Sequence, residues 1–514
     1  MSTSPAMTAA PHQTSTTRST KEVPMSLNSA QTDRACGVLI ASAAGDALGA
    51  GYEFTYPAAD LVPVMKGGGL GGFAPGEWTD DTDQAVAIAR VAARGIDLRS
   101  PEALDGIAAG FMEWFAGRPA DIGIQTRSVL LAAVNTPTGA QMAEAARKVH
   151  HQKGRSSGNG SLMRTGPVAL AYLDDPEGLV EAAMAISALT HYEDSAQEAC
   201  ALWCLMIRHA VLAGEFPRFA DIEQWMPNAD YWRGVLAEAE AQEPGTFTQN
   251  GWSVGALQAA WSAITHTPVP EGPEACGHLV DALGTAIRIG HDTDTVAAIA
   301  GALLGARWGM TAVPTQWRRM LHGWPGITVR ELEAMAMMAT RGGKTIKHGW
   351  PLTEWIDYAA TQPIKPALVP HPHDSGVWLS DVTALDHLPA DVDAVVSLCM
   401  TGTQQVPAGV EQVTVRLIDV PEADSNPNLD FVLLDTARTI AALRDEGKTV
   451  VLHCVAAHSR TPTVGIVYSM LRGVPLAMAL PEVCGVLPDA HPNPGFRAAL
   501  ERIEGTGERG GSYA

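Results

Sequence analysis

The stretch "GHDTDTVAAIAGALLGARWG" (residues 290–309) sets Asp292 and Asp294 between threonines and then runs at once into small apolar residues at helical spacing. Carboxylates at that density in the mouth of an apolar helix are costly to desolvate. The pattern has a counterpart more than two hundred residues earlier, in "EWTDDTDQAVAIAR" (77–90), where Asp80, Asp81 and Asp83 lie with Thr79 and Thr82 ahead of an alanine-rich run. One such entrance by itself reads as an N-cap, because Thr or Asp satisfies free backbone NH groups and complements the positive end of the helix dipole. One carboxylate is enough for a cap. Two carboxylates about 4 Å apart repel by roughly 4 kcal/mol at an effective dielectric near 20. Several become tolerable together when a hard cation lies between them, since Mg²⁺ and related ions favour carboxylate, hydroxyl and water oxygens. Glu53, in "GDALGAGYEF" (45–54), is a further oxygen donor from a third segment.

Outward from these entrances, residues 33–350 are dominated by Ala-rich segments of helical period, such as "RACGVLIASAAGDALGAGYEF" and "DSAQEACALWCLMIRHAVLAG". Small residues let such helices approach closely, so a compact all-α domain is expected, with loops supplying the polar chemistry. Near "YAATQPIKPALVPHPHDSG" (358–376) Pro and His interrupt every periodic pattern, and residues 351–373 read as a linker. Beyond it, "DAVVSLC" (393–399), "EQVTVRLID" (411–419) and "KTVVLHC" (448–454) are short β-branched runs alternating with helical spacing, which predicts a small α/β domain over 374–506. Residues 1–32 and 507–514 read as disordered tails.

Bulk properties narrow the function classes. A chain of 514 residues is long for one core, so more than one domain is expected. The balance of 35 basic against 56 acidic residues, a net charge of −21, repels polyanions and argues against nucleic acid as a general partner. Seven scattered cysteines without a CxxC ladder suggest a reducing compartment. No signal-peptide core and no 18-residue uninterrupted apolar run is visible, so a cytoplasmic protein without membrane partners is expected.

The ordered set "GDALGAGYEF", "WTDDTDQA", "DIGIQTRSVL", "SSGNGSLMRTGPVALAY", "THYEDSAQEAC" and "GHDTDTVAAIAGALLGARWG" resembles the ADP-ribosylglycohydrolases over about residues 33–345. The resemblance implies an all-helical fold with a dinuclear Mg²⁺ or Mn²⁺ centre, held by Glu53, Thr79, Asp80, Asp81, Asp292, Asp294 and Thr295, with Asp294 as the bridge. It implies hydrolysis at the anomeric carbon of a bound ribose, where cations orient hydroxyls and acidify water while a carboxylate handles the proton. Asp81 and Glu53 are the candidates for that carboxylate. Gly158, Asn159, Gly160 and Ser161 offer NH groups to a diphosphate or ribose, and by resemblance Asp121, Gly123 and His191 also fall on the substrate side. His291, where the family often has glycine, is expected to narrow the approach to the metals, and Asp83 stands where Gln or Glu is common.

A second chemistry is written in "VVLHCVAAHSRTPTVGIVYS" (450–469), which places Cys454 after an apolar strand and Arg460 before a helix. A strand-to-helix loop points NH groups and a helix dipole at one anion, lowers a thiol pKa and lets Arg bind phosphate oxygens bidentately. The stretch resembles the cysteine-dependent protein phosphatases of the dual-specificity group. That implies Cys454 as nucleophile, Arg460 as phosphate clamp, Thr461 assisting the leaving thiolate, and Asp419 or Asp424 as general acid. The loop lacks the glycine usual in these enzymes.

The expected protein is thus a metal-dependent hydrolase acting on an ADP-ribosylated protein or small ADP-ribose conjugate, of arginine type, joined to a cysteine phosphatase-like domain with a phosphorylated substrate. The alternatives are an ADP-ribose sensor with a weak phosphatase-like domain and a plain metal-dependent glycoside or nucleoside hydrolase. The last does not predict "GNGSLMR".

Overall fold

The structure, a computed structural model, describes residues 26–506; the expected tails over residues 1–25 and 507–514 lie outside the described residues. The first helix, Ser29–Gly49, begins inside the stretch expected as tail, because Asn28 and Gln31 form a reciprocal capping box at 2.8 and 3.0 Å. Among the described residues it is the first of fourteen α-helices that end with Val329–Thr340. Ser29–Tyr52 is apolar and long enough by composition to cross a membrane, yet 94% of its most apolar window is buried inside the fold.

The core of this domain is a seam between two antiparallel helices, Ser29–Gly49 and Thr293–Trp308. Their small residues leave no side chain between the backbones. A Cβ added to Gly37 would lie 2.3 Å from the Gly305 carbonyl oxygen, one on Gly45 would lie 2.2 Å from that of Ala297, and one on Gly301 would lie 2.2 Å from that of Ala41. Ser42 stitches the seam with a 3.0 Å bond to the Ala298 carbonyl. The seam sets the C-terminal end of the first helix, carrying Asp46 and leading to Glu53, against the N-terminal end of the other, carrying Asp292 and Asp294. The second acidic entrance, Asp80–Ala92, is fixed beside it by Asp46.

The helical domain also holds one short antiparallel pair, β1 (His322–Gly323) and β2 (Ile327–Thr328). The C-terminal region is a five-stranded sheet in the order β3-β4-β7-β5-β6, from β3 (Leu368–His371), β4 (Asp374–Ser380), β5 (Ala394–Ser397), β6 (Glu411–Thr414) and β7 (Val450–His453). All neighbours run parallel except β3 and β4. Helices Leu429–Asp445, Arg460–Leu471, Leu476–Val486 and Pro494–Thr506 complete it. β3 lies in the segment expected as linker. Pro370 hid it, and a proline is tolerated there because β3 is the sheet edge, where the missing NH breaks no ladder.

The two parts interlock. Thr315 donates from its NH (2.9 Å) and hydroxyl (2.5 Å) to Asp435, Asn428 donates to the Trp308 carbonyl at 2.6 Å, and Arg319 pairs with Glu411 at 2.6 Å.

The seam is testable. Gly305→Ala puts a methyl 2.0 Å from the Gly37 carbonyl oxygen, and overpacking of this kind costs about 1–3 kcal/mol, so thermal unfolding should occur several degrees lower. Gly234→Ala, on the helix Ala229–Ala241 with nothing within 4 Å of the added carbon, should instead stabilise by up to about 1 kcal/mol. Equal effects from the two substitutions would show that the seam is not backbone-limited.

Candidate functional site

Both acidic entrances border one cavity of about 830 Å³, whose wall includes Glu53, Asp80, Asp121, Asp292, Asp294 and Thr295. Thr79 precedes Asp80–Ala92 as its N-cap, and its hydroxyl lies 3.1 Å from Asp81 Oδ2. Thr295, from the other entrance, donates to that same oxygen at 3.3 Å. This shared oxygen is where the two entrances meet. The other oxygen, Asp81 Oδ1, is buried without any hydrogen-bond partner.

Two carboxylate trios result: Asp46, Asp81 and Asp294, and Glu53, Asp292 and Asp294. In each, one oxygen per residue lies within 4.8 Å of the others, and Asp294 belongs to both. A pair of anions at that spacing repels by about 3–4 kcal/mol at an effective dielectric near 20. Burial, then Asp121 and the neighbouring carboxylates, pushes Glu53 up to about 8 and Asp80 up to about 7. Burial and like charges also raise Asp81 and Asp294 well above the usual range. The orphaned Asp81 oxygen and the all-oxygen donor set fit a hard divalent cation.

Sequence reasoning missed three residues that build this site. Asp46 takes Thr79 NH (3.0 Å) on one oxygen and Thr82 NH (3.0 Å) and hydroxyl (2.6 Å) on the other, so a carboxylate from one helix caps another. It was quoted within "GDALGAGYEF" but hidden in an Ala-rich helix. Gln84 holds Asp80 at 2.9 Å and accepts from Arg164 at 2.5 Å. Arg164, fully buried, continues to Thr190 at 2.6 Å, whose hydroxyl lies 2.7 Å from His191 Nδ1. A polar chain thus runs from an acidic entrance to the far wall of the cavity.

Of the expected substrate-side residues, Asp121, Gly123, Gly158, Asn159, Gly160 and His191 line the cavity. Asn159 ties the loop to the second entrance by donating to Asp292 at 2.8 Å. Gly160 is there for space: a Cβ would sit 3.3 Å from the His191 ring and 3.4 Å from the Thr126 hydroxyl. Ser161 is turned away, its hydroxyl accepting from Ser187 at 2.8 Å in the core. Asp83 also faces away, accepting the indole NH groups of Trp78 (3.0 Å) and Trp114 (2.9 Å). His291 does not line the cavity. Its left-handed backbone (φ 61°) clips the loop after Glu53, with Phe54 NH to His291 O at 2.6 Å and His291 NH to Thr55 O at 3.2 Å, and its ring stands edge-on to Tyr56.

In the C-terminal sheet, Cys454 follows β7 and is buried, with the loop ending at helix Arg460–Leu471. Ala457, in the loop that lacks the usual glycine, has φ 55°, a conformation costing a residue with a Cβ about 1–2 kcal/mol. Arg460 Nη1 donates to the Leu398 (2.7 Å) and Leu417 (3.3 Å) carbonyls, and its Nε lies 3.6 Å from Asp419. Asp419 also accepts from Asn493 at 3.0 Å. Asp424 stands exposed on the turn Ala423–Ser425, without a bond to Arg460 among the described residues. The Thr461 hydroxyl donates to the Ser380 carbonyl at 3.2 Å, an occupation unlike the expected role beside the thiolate.

Comparison with known proteins covers both parts. Residues 27–346 match the family model for ADP-ribosylglycohydrolase. The chain is 29% identical over 302 residues to an ADP-ribosylarginine hydrolase, Tri1, of Pseudomonas putida, covering 55% of this chain and 73% of that one. It is 29% identical over 292 residues to the ADP-ribosyl-[dinitrogen reductase] glycohydrolase of Rhodospirillum rubrum (55% and 89%), and 26% identical over 333 residues to human ADP-ribosylhydrolase ARH3 (56% and 89%). A solved ADP-ribosylglycohydrolase-related protein complex aligns at 27% identity over 61% of this chain and 99% of that chain, with a TM-score of 0.45. Human DUSP28 aligns at 28% identity over 28% of this chain and 97% of its own, with a TM-score of 0.25. The family match takes in both acidic entrances and the loop between them, and by it the chain belongs to the ADP-ribosylglycohydrolase family.

Proposed function

We propose that the helical domain hydrolyses the bond between ADP-ribose and an arginine-type acceptor, and needs Mg²⁺ or Mn²⁺ to do so. The observation that carries this reading is the pair of carboxylate trios sharing Asp294 beside the unpartnered Asp81 oxygen. Thr79, Asp80, Asp81, Asp292, Asp294, Thr295 and Glu53 would hold the cations, which when bound polarise hydroxyls and make water more acidic. The cavity volume suits a nucleotide-sugar conjugate. Gly158 and Gly160 allow the chain to approach a ligand closely. Burial, with Arg164 nearby, lowers His191 to about 3, so its ring meets a ligand as a neutral hydrogen-bonding group. For the proton-handling carboxylate the geometry supports Glu53 over Asp81, since Glu53 is half-buried on the cavity wall and Asp81 is 1% exposed behind it. The relatives named as arginine hydrolases support the linkage.

For the C-terminal domain the proposed chemistry is hydrolysis of a phosphomonoester, with Cys454 as nucleophile, Arg460 binding the phosphoryl oxygens and Asp419 as acid. Asp419 is favoured over Asp424 by its place beside Arg460. The left-handed Ala457 favours a second reading for this domain alone, binding with slow turnover.

Two predictions separate these readings. At millimolar Mg²⁺ the wild-type chain should release ADP-ribose from ADP-ribosyl-arginine, chelator should stop it, and Asp294→Ala should lower kcat/KM by about a thousandfold or more. A wild-type chain that releases no ADP-ribose from any linkage sinks the hydrolase reading. Cys454→Ser should abolish phosphate release from an aryl phosphate. Ala457→Gly should raise that release severalfold and stabilise the chain by about 1 kcal/mol. Phosphate release unaffected by Cys454→Ser would remove the nucleophile assignment.

A further inference from the structure

We propose that a cavity between the two domains binds a small organic phosphate carrying a flat apolar group, with the phosphate among arginines supplied by both domains. The cavity, about 490 Å³, is of small-molecule size. The helical domain contributes Arg330, Arg341 and Glu333 to its wall, and the C-terminal domain contributes Arg416 and Arg460. Four guanidinium groups against one carboxylate are out of keeping with a chain of net charge −21, and the guanidinium fork matches phosphate oxygens.

Two of these arginines also bridge the domains, and they do so through uncharged acceptors. Arg330 donates to Gln412 Oε1 (3.1 Å) and the Thr401 carbonyl (2.8 Å), and Arg416 to the Ser29 carbonyl (2.8 Å), so each spends donors on neutral acceptors. Arg341 Nε is buried without a hydrogen-bond partner among the described residues, a costly state that an anion in the cavity relieves, while Arg460 Nε has the Asp419 carboxylate 3.6 Å away, beyond hydrogen-bond distance. Beside the arginines the wall is apolar, with Met310, Met337, Trp350, Tyr358 and Leu417, which suits a ring. Tyr358 lines one side, held there by its hydroxyl donating to the Met400 carbonyl at 2.9 Å. A cavity of this volume, walled by both domains, suits a single small molecule better than a phosphorylated protein chain. As the substrate class of the Cys454 loop this rests on the phosphatase reading above; as a binding site it stands on the cavity.

Calorimetry on the full-length Cys454→Ser chain tests it, with phenyl phosphate, inorganic phosphate and a short phosphotyrosine peptide as probes. Phenyl phosphate should bind one per chain, with the other two at least about tenfold weaker. Arg416→Gln and Arg341→Gln should each weaken phenyl phosphate by about tenfold, with the unfolding midpoint checked for each so that a misfolded variant is not scored. No binding by a folded chain, peptide binding as tight as that of phenyl phosphate, or indifference to both substitutions overturns the inference. Should Cys454→Ser bind as expected while wild type releases no phosphate from phenyl phosphate, the phosphatase reading fails and the cavity site stands. Should wild type prefer the peptide as substrate, the inference fails and the phosphatase reading stands.

Discussion

The contact on which the helical domain depends is the approach of two backbones, Ser29–Gly49 and Thr293–Trp308, so close at Gly37, Gly45, Gly301 and Gly305 that one added carbon would clash with the facing backbone. Close packing of this kind is rigid, because no side chain can change rotamer to absorb a shift. Its chemical consequence lies at one end. A Cβ on Gly49 would fall 2.5 Å from the Asp294 Cα, so the same lack of side chains that packs the core brings the Glu53 segment and Asp294 to one place. The spacing of the acidic cluster is thereby set by apolar packing.

Acids gathered so tightly need compensation within the protein. Part of it is the helix termini themselves, since Asp46 accepts three donors from the first turn of Asp80–Ala92, and NH groups there favour an anion. Asp292 is similarly served by Asn159. Asp81 is served on one oxygen only. The cluster is therefore graded: Asp46 is satisfied on both oxygens, Asp294 accepts from the Thr295 NH at 2.9 Å, and Asp81 Oδ1 has no hydrogen-bond partner among the described residues.

This grading explains what could be read from the residues and what could not. The acidic entrances and Glu53 announce themselves as charges where an apolar helix begins. Asp46 has the same chemistry but sits inside an alanine-rich helix, where one acid passes for a solvent-facing position. Arg164 and Gln84 are hidden for a different reason, since they pair with each other across 80 positions in the chain. Asp83 shows the converse, because two residues past Asp81 is about half a helical turn, which carries it to Trp78 and Trp114 and away from the cavity. His291 looked like an intrusion on the site, but a left-handed backbone turns its ring toward Tyr56. Motif order thus located the site, and the side-chain directions within it had to come from the fold.

The two proposed sites solve opposite electrostatic problems in one way. In the helical domain carboxylates are gathered against one another, and between the domains guanidinium groups outnumber the carboxylates in the cavity wall. In each case the unpaired group costs stability in the free protein, and a ligand that binds only the folded chain returns it by mass action. For the acidic cluster the return is local, since both trios belong to one domain. For the arginines it is shared, because Arg330 and Arg341 move with the helices and Arg416 and Arg460 with the sheet. An anion held among them therefore stabilises the interface itself, which makes occupancy of that cavity and docking of the two domains thermodynamically linked.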